Sequence, residues 1–342
     1  MANTTAVPAL VGREEFLIMI EFVYHIWMVI LIFGIVSNII NIVVFCGLGD
    51  RDNVSTSMLV LSLSDLSYLV IRALTTGARF VLYHHQTVQW LLDPKIFLAC
   101  IYWYGQVFYD FSCFIALFMS VVRCCCVVMP LRFKSVFTRS RTVTALIGLF
   151  LSATCLRTPQ FFAHGFIWKV NPATNSTYLS CSDAKDIQIL AKINDIVNRN
   201  IVSSVAYITV AVCVVTMIIT LKASSRFRNS ASKPSASTNV GQGKPSKDLE
   251  KMSAKELQLI QSVILLSIIF LLSQLPFQIY YTIRLFVPEF DTYRSQVYLF
   301  GIASHISTTF SFLNCSINIF VYLTYNRKYR AAACSLLCLK TE

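Results

Sequence analysis

Long apolar segments alternate with short polar ones along the chain, and seven of the apolar segments are long enough to cross a membrane. A helix rises about 1.5 Å per residue, so about 20 apolar residues span the hydrocarbon core of a bilayer. The segments lack the period-two alternation of barrel strands, so each is predicted to be a helix. The pattern predicts an all-α membrane protein, a seven-transmembrane helix bundle with spans at 22–47, 57–82, 97–124, 143–163, 197–222, 257–286 and 296–323.

The polar segments complete the predicted organisation. Residues 1–21 form an outer tail before the seven-transmembrane domain at 22–323. Within that domain, residues 224–250 are rich in Ser, Pro, Gly and Lys and are predicted to be a flexible cytoplasmic loop. Residues 324–342 are basic on one side and apolar on the other, which predicts an amphipathic helix on the inner leaflet and a cytoplasmic tail.

The distribution of charge predicts the orientation. The net charge is +12, and most Lys and Arg lie after spans one, three and five and in the C-terminal tail. The positive-inside rule places these segments in the cytoplasm and the N-terminus outside, as in a multi-pass protein of the plasma membrane. The basic surface then faces anionic membrane lipid, so no nucleic-acid partner is required to explain it.

This orientation sorts the sequons and two of the twelve cysteines. The sequons at Asn3 and Asn175 fall outside and are predicted glycosylation sites, whereas the sequon at Asn53 falls inside and should stay unmodified. Cys100 and Cys181 also fall outside, where oxidising conditions favour a disulfide between them over two unpaired thiols.

Other cysteines cluster on the cytoplasmic side. Residues 124–126 are three consecutive cysteines, and consecutive helical residues point about 100° apart, so their thiols cannot converge on one metal ion. Small apolar fillers are the favoured interpretation, and no metal or cofactor is predicted. Cys334 and Cys338 lie four residues apart on one helical face, where lipidation and plain apolar packing are the two alternatives.

Polar residues at membrane depth are costly, so each raises a functional hypothesis. Asp65 lies about midway along its span, where a carboxylate needs a proton or solvating partners. Pro276 removes one backbone hydrogen bond from span six and should kink it, either as a packing feature or as a hinge. The other such residues are Asn38, Asp110, Asn314 and Asn318, for which hydrogen bonding between helices is the structural alternative.

In order and spacing, these residues resemble the rhodopsin-like (class A) G-protein-coupled receptors along nearly the whole chain. The matching positions are Asn38, Asp65, Cys100, Cys181, Val122–Cys124, Pro130, Leu131, Phe270–Pro276, Asn318–Tyr322, Asn326 and Tyr329. The resemblance implies that an extracellular ligand shifts span six about Pro276 and opens the inner face to a heterotrimeric G protein. Arg123 and Leu131 would contact the G protein, and the activation switch would comprise Asn38, Asp65, Phe270, Gln274, Pro276, Asn314, Asn318 and Tyr322.

Several positions depart from the family pattern. Val122 replaces the acid that restrains the arginine, Gln274 replaces a tryptophan, and Ile319 replaces the proline of span seven. Phe114 is assigned to the position of the serine in the family's sodium pocket, so sodium binding is not expected. The stretch that follows Arg123 is similar to chemosensory receptors of gastropod molluscs, and neuropeptide receptors share several of the same features.

A ligand is expected in a cleft in the outer half of the bundle. Arg72 is the most informative candidate, because an intramembrane guanidinium needs an anion, a carbonyl or water. Two alternatives stay open: Arg72 pairs with Asp110, or it binds an anionic ligand group with help from Arg284 or Arg157. Snorkelling near the outer boundary is expected to explain Arg157 and Arg79. The predicted ligand contacts are Arg72, Gln106, Val107, Asp110, Gln278, Tyr281, Arg284 and His305.

Other classes of protein are less favoured. The chain carries no nucleophile and base pair, phosphate loop or accessible metal-ligand spacing, so it is not predicted to be an enzyme. A transporter would be expected to contain repeated halves or paired broken helices, and no internal repeat is found. The departures from the family motifs keep a non-signalling scavenger receptor as an alternative.

Overall fold

A bundle of seven membrane-spanning helices dominates the computed structural model. The structure describes residues 9–48, 53–84, 94–129, 137–162, 164–170, 175–183, 187–231, 254–292 and 294–336. Within these ranges, seven helices are long and apolar enough to cross a membrane, which confirms the predicted fold class. Asn3, Leu131 and Cys338 lie outside the described residues, as does most of the predicted cytoplasmic loop.

Spans one to four and span six are single helices, whereas spans five and seven contain further elements. Spans one to four are α1 Arg13–Gly47, α2 Asn53–His84, α3 Pro94–Val128 and α4 Arg139–Phe161. Span five consists of α5 Ile187–Asn194, a π-helical segment Asp195–Val202 and α6 Ser203–Ala231, and span six is α7 Ala254–Phe286. Span seven is divided into α8 Val297–Ser316 and α9 Asn318–Tyr325, and α10 Arg327–Leu336 follows it.

Two helices begin earlier than the apolar pattern indicates. Span one begins at Arg13 rather than at residue 22, and span five begins at Ile187 rather than at residue 197. At 35 residues, α1 extends to about 52 Å at the helical rise, which exceeds the hydrocarbon thickness. Hydropathy detects the part of a helix that lies in lipid and misses the polar turns that continue it into the interface.

Span seven breaks at Ile317 even though the family proline is absent. The backbone of Ile317 has φ −92° and ψ −2°, so it ends α8 and caps α9. The backbone N–H of Phe320 donates to the carbonyl of Ile317 over 3.1 Å, a tighter hydrogen bond than that of an α-helix. The break therefore does not depend on a proline at the position of Ile319.

An antiparallel hairpin, which the apolar pattern did not predict, follows span four. Its strands are β1 His164–Val170 and β2 Thr177–Asp183, and β2 packs against α3. Asn175, the predicted glycosylation site, lies between the strands with an exposed side chain and φ 53°, a left-handed conformation that asparagine tolerates better than most residues. Asparagine is thus both conformationally suitable and accessible at this turn.

The C-terminal helix α10 docks under the bundle. Tyr329 and Ala333 are buried on one side of it. The hydroxyl of Tyr329 donates to the side-chain carbonyl of Asn41 in α1 over 2.6 Å, and burial raises the pKa of this tyrosine. Its ring also contacts Tyr322 and Phe45, so the predicted amphipathic helix is joined to spans one and seven.

Candidate ligand site and activation network

Asp110 pairs with Arg157 of α4, not with Arg72. The Nε and Nη2 atoms of Arg157 donate to the two carboxylate oxygens of Asp110 over 2.5 and 2.9 Å, and its Nη1 donates to Asn194 over 3.0 Å. The exposed fractions of the two side chains are 3% for Arg157 and 18% for Asp110. Snorkelling therefore does not describe Arg157: it belongs to the buried stripe of α4 that contains Ala153 and faces the bundle.

Arg72 lies in the outer half of α2, where no carboxylate among the described residues pairs with it. It is 5% exposed, and its guanidinium carbon is 5.1 Å from the centroid of the Tyr102 ring and 5.4 Å from that of Phe312. Among the described residues, no hydrogen-bond acceptor contacts its Nε and no acid pairs with it. Arg79 lies about two turns farther along α2, and its guanidinium carbon is 5.9 Å from the centroid of the same Tyr102 ring. Two cations thus share one aromatic neighbour.

His305 of α8 presents a second buried nitrogen that has no hydrogen-bond partner in the described part of the chain. Its ring stacks on Trp27 with centroids 5.1 Å apart and planes 12° apart. Its Nδ1 lies 2.7 Å from the backbone carbonyl of Gly301. Because a carbonyl only accepts hydrogen bonds, the Nδ1 atom carries the proton. Within the described part of the chain, the buried Nε2 of His305 has no hydrogen-bond partner, and Arg72 and Arg79 lie within electrostatic reach of the ring.

Arg284 is already neutralised by acids. Its Nη1 lies 2.6 Å from a carboxylate oxygen of Asp195, and its Nη2 lies 2.8 Å from one of Asp291. The pKa of Asp291 is below its ordinary value. Burial alone would raise this pKa, but hydrogen bonds from Thr292 and the charge of Arg284 outweigh burial. Arg284 is therefore a poor candidate for assisting Arg72 with a ligand anion.

The predicted contacts in span six are engaged with span five. Gln278 accepts a hydrogen bond from Ser203 over 2.9 Å and donates another to Ser204. The ring of Tyr281 lies 4.4 Å from the guanidinium carbon of Arg199, in a cation–π arrangement. These contacts fasten the outer ends of spans five and six to each other.

A crevice of about 470 Å³, open mouth included, lies among spans three to six. It brings together three of the predicted site residues, Asp110, Phe270 and Gln274. Two others, Gln106 and Val107, are buried in α3 and do not line it. The remaining walls are Tyr109, Cys113, Phe114, Leu156, Arg157, Asn198, Val202, Ser203, Ala206 and Phe277.

The sequence reasoning missed the polar residues at the start of span five. Asn198 donates to the backbone carbonyl of Leu156 and to the side chain of Asn194, both over 2.8 Å. Asp195 and Arg199 pair with each other in the same π-helical segment. A concentration of Asn, Asp and Arg in the stretch NDIVNRN just before an apolar run was the available signal, and π-helical turns often mark functional sites.

Asp65 is hydrogen-bonded by two other spans. Ser112 donates to one carboxylate oxygen, and the side-chain amide of Asn318 donates to the other over 2.9 Å. The assignment of the helix-three serine position to Phe114 was wrong, because Ser112 contacts Asp65 whereas Phe114 lines the outer crevice. The departure that counted against sodium binding is therefore absent, because a serine does contact Asp65. Asp65, Ser112, Asn318 and the neighbouring Asn314 offer the oxygen donors that hard cations prefer.

Gln274 replaces the packing of a tryptophan with hydrogen bonds. Its side-chain amide donates to the hydroxyl of Tyr109 over 2.7 Å and contacts the thiol of Cys113 at 3.1 Å. Ser311 of α8 donates to the same tyrosine hydroxyl over 3.0 Å. Spans three, six and seven therefore meet at one buried hydroxyl, which Gln274 contacts two residues before Pro276 in a helix that continues through the proline.

The other predicted switch residues lie in the inner half. The side-chain amide of Asn38 donates to the backbone carbonyl of Cys315 over 2.8 Å, which joins spans one and seven. Phe270 is buried against span five, and Tyr322 is fully buried. Ser120 and Ser267 hydrogen-bond at 2.7 Å between spans three and six, a contact that the sequence did not single out.

Several predictions concern single residues that the structure locates without testing their roles. Arg123 and Val122 are buried near the inner end of α3, at 7% and 8% exposure. Cys100 has an exposed, free thiol on α3, and Cys181 lies in β2 opposite Phe166, so their disulfide stays a prediction. Cys334 is half-buried on α10, and its lipidation stays a prediction as well.

Fold and site define a helical membrane protein in which polar residues connect an outer crevice to a buried inner network. The family model of the 7 transmembrane receptor (rhodopsin family) matches residues 37–322. The chain belongs to that family, and it is therefore a receptor that binds an extracellular ligand and signals through heterotrimeric G proteins. A search of curated proteins finds none that matches.

Proposed function

We propose that the protein is a chemosensory receptor of the plasma membrane, with its N-terminus outside, that recognises a small anionic molecule through Arg72. One observation carries this proposal. The buried guanidinium of Arg72 is flanked by two aromatic rings and has no carboxylate partner among the described residues. A carboxylate of the ligand would supply the missing charge and accept hydrogen bonds in the forked geometry that arginine favours.

The charge balance of the outer half supports an anionic ligand. Asp110 is used by Arg157, and both Asp195 and Asp291 are used by Arg284. Among the described residues, these pairings leave no acid for the positive charges of Arg72 and Arg79 on α2. A buried cation without compensation is costly, so an anion that binds there gains from neutralising it.

The ligand site would act on the inner face through the buried contacts already described. Tyr68, one turn inward of Arg72, packs against Tyr109 with ring centroids 4.9 Å apart. Tyr109 receives the hydrogen bond of Gln274 in span six. A ligand that binds Arg72 differently in two arrangements of these residues would shift the position of span six and the access of the G protein to Arg123.

A ligand screen tests the role of Arg72. Amino acids, small carboxylates and short peptides with free or amidated C-termini are applied to cells that express the wild type, Arg72→Gln or Arg79→Gln at matched surface levels. We expect the potency of anionic agonists to fall about 10-fold to about 100-fold in Arg72→Gln, the equivalent of a lost charge-assisted hydrogen bond. Arg79→Gln is the matched control on the same helix and should have a smaller effect.

Two results would overturn the proposal. Equal potency of every anionic agonist on the wild type and Arg72→Gln would exclude the arginine as the anchor. Preferential activation by cationic or uncharged compounds would exclude an anionic ligand. Arg123→Ala, compared at the same surface level, separates ligand binding from signalling, because it should abolish G-protein activation while a labelled agonist still binds.

A further inference from the structure

The outer turns of α1 lie against the outer end of span seven. Three aromatic residues, Phe16, Tyr24 and Trp27, are spaced eight and three residues apart, which places them on one side of the helix. Their ring centroids lie 6.2, 6.1 and 5.1 Å, in that order, from the centroid of the His305 imidazole. Side chains of α1 therefore surround one histidine of span seven.

The ring of Phe16 occupies a notch at Gly301. A β-carbon at position 301 would lie 2.5 Å from the Phe16 ring, so glycine provides the room that this ring needs. The same ring contacts that of Tyr298, with centroids 5.3 Å apart. Just before the helix, the backbone N–H of Leu10 donates to the side-chain carbonyl of Gln296 over 3.1 Å. These contacts hold the start of α1 against span seven.

The outer turns of α1 bury little else. All of α1 lies among the described residues, and Trp27 is the first buried residue along it. Its Nε1 donates to Thr309 over 2.8 Å, whereas Ile18 on the outer turns is exposed. A segment with few buried apolar contacts opens locally at a low free energy. Because residues 13–21 precede the predicted apolar span, such an opening would move Phe16 into the membrane interface and not into hydrocarbon.

We infer that residues 13–26 form a cover that opens and closes over His305, with Phe16 as its latch. In the closed arrangement of the structure, the latch ring lies in the notch at Gly301. The buried Nε2 of His305 then has no hydrogen-bond partner among the described residues. When the cover opens by fraying outward from Trp27, this nitrogen becomes accessible from the outer side. The contact of Phe16 with span seven is thus autoinhibitory, because it keeps a hydrogen-bonding group inaccessible.

The cover also closes a route to Arg72. Trp27 stacks on His305 and packs against Phe312, with ring centroids 5.1 and 5.2 Å apart. The guanidinium carbon of Arg72 lies 5.4 Å from the centroid of the Phe312 ring. A continuous series of aromatic contacts therefore leads from the cover to the arginine, and an anion that follows it must first displace Phe16. This consequence rests on the proposed anion site, whereas the cover itself does not.

Chemical modification of histidine tests the cover. Diethyl pyrocarbonate transfers a carbethoxy group to an accessible, unprotonated imidazole nitrogen, which is Nε2 in His305. His25 is the matched internal reference, because its Nδ1 likewise lies 2.8 Å from a backbone carbonyl four residues earlier, that of Glu21, but its side chain is exposed. The full-length receptor in lipid nanodiscs is treated at neutral pH, and mass spectrometry of the digest gives the ratio of the two modification rates, His305 over His25.

We expect this ratio to lie well below one in the wild type. Phe16→Ala should raise it about 2-fold to about 10-fold, the equivalent of one lost aromatic contact. Gly301→Ala should raise it similarly, because the added methyl group displaces the latch ring. Ile18→Ala, on the same turns but away from span seven, is the matched control and should leave the ratio unchanged.

A double variant and two contrary results complete the test. Gly301→Ala should add nothing in the Phe16→Ala background, because the methyl group acts only through the ring. A wild-type ratio near one, or an unchanged ratio in Phe16→Ala, would overturn the inference. If Phe16→Ala folds poorly, as shown by its Tm, Gly301→Ala decides from the other side of the contact. The reaction involves neither an anion nor Arg72, so failure of the cover and failure of the ligand proposal are separate outcomes.

Discussion

The outer and inner halves of the bundle are held together by different kinds of polar contact. The outer half uses charge: Asp110 with Arg157, and Arg284 with two acids. The inner half relies on uncharged donors, such as Ser120 with Ser267 and Tyr329 with Asn41. Asp65, at the boundary between the halves, accepts hydrogen bonds from a hydroxyl and an amide.

We expect this difference to separate ligand recognition from signal transmission. Charged pairs in a buried site are costly to break, so the pair of Asp110 and Arg157 holds one wall of the outer crevice firmly. Neutral hydrogen bonds inside a membrane average about 0.6 kcal/mol, so several can exchange partners at small cost when helices move. The firm half would select the ligand and the adaptable half would change shape.

The largest effect is expected from breaking the buried pair of the outer half. Asp110→Asn leaves the Arg157 charge without its carboxylate, and loss of one partner of a buried pair costs about 3–5 kcal/mol. Thermal unfolding of the purified receptor should show a large fall in Tm, with reduced surface expression. Asp291→Asn is the matched control, because its carboxylate is 40% exposed and an exposed pair contributes about 0–1 kcal/mol. Similar losses in the two variants would contradict the distinction between buried and exposed pairs.

Gln274 lies where the two halves meet, and its replacement should have an intermediate effect. Gln274→Leu removes the donor to Tyr109, and a typical hydrogen bond contributes about 1 kcal/mol. A double-mutant cycle with Tyr109→Phe, measured by thermal unfolding, should give a coupling energy of that size. Additive effects of the two substitutions would show that the contact contributes nothing to stability.

The inner half should give a smaller coupling. Ser120→Ala and Ser267→Ala remove opposite sides of one hydrogen bond, and we expect a coupling energy of about 0.6 kcal/mol. Ser152→Ala is the control, because Ser152 is exposed on α4 and donates within its own helix. A coupling energy near that of the buried charged pair would remove the contrast between the halves.

The pH dependence of Asp291 is the smallest effect. Because its pKa is lowered in the folded protein, ionised Asp291 stabilises the fold above its unfolded pKa of about 3.9. That contribution is lost as the pH falls through the folded value. The difference in Tm between wild type and Asp291→Asn should therefore be present near neutral pH and shrink below about pH 4. A difference that grows in acid would reverse the sign of the linkage.

The pairing partners were the least predictable part of the site. Hydropathy located the inner-half residues Asn38, Asp65 and Asn318, and the family pattern attached roles to them. Neither could show that Arg157 faces the bundle, because a small rotation about the helix axis separates a snorkelling arginine from a buried one. The misassigned serine has the same origin: Ser112 and Phe114 are two residues apart and point to different neighbours.

The sequence by itself determined the seven spans, the amphipathic C-terminal helix and the residue types that lipid makes costly, because those properties depend on the solvent around each segment. The tertiary structure alone decided which charges are satisfied. Asp110 pairs with the guanidinium of Arg157 and not with that of Arg72, because the packing of α3 against α4 brings Arg157 within hydrogen-bond distance. The lack of a carboxylate partner for Arg72 among the described residues is a property of the packed bundle, and the ligand proposal follows from it.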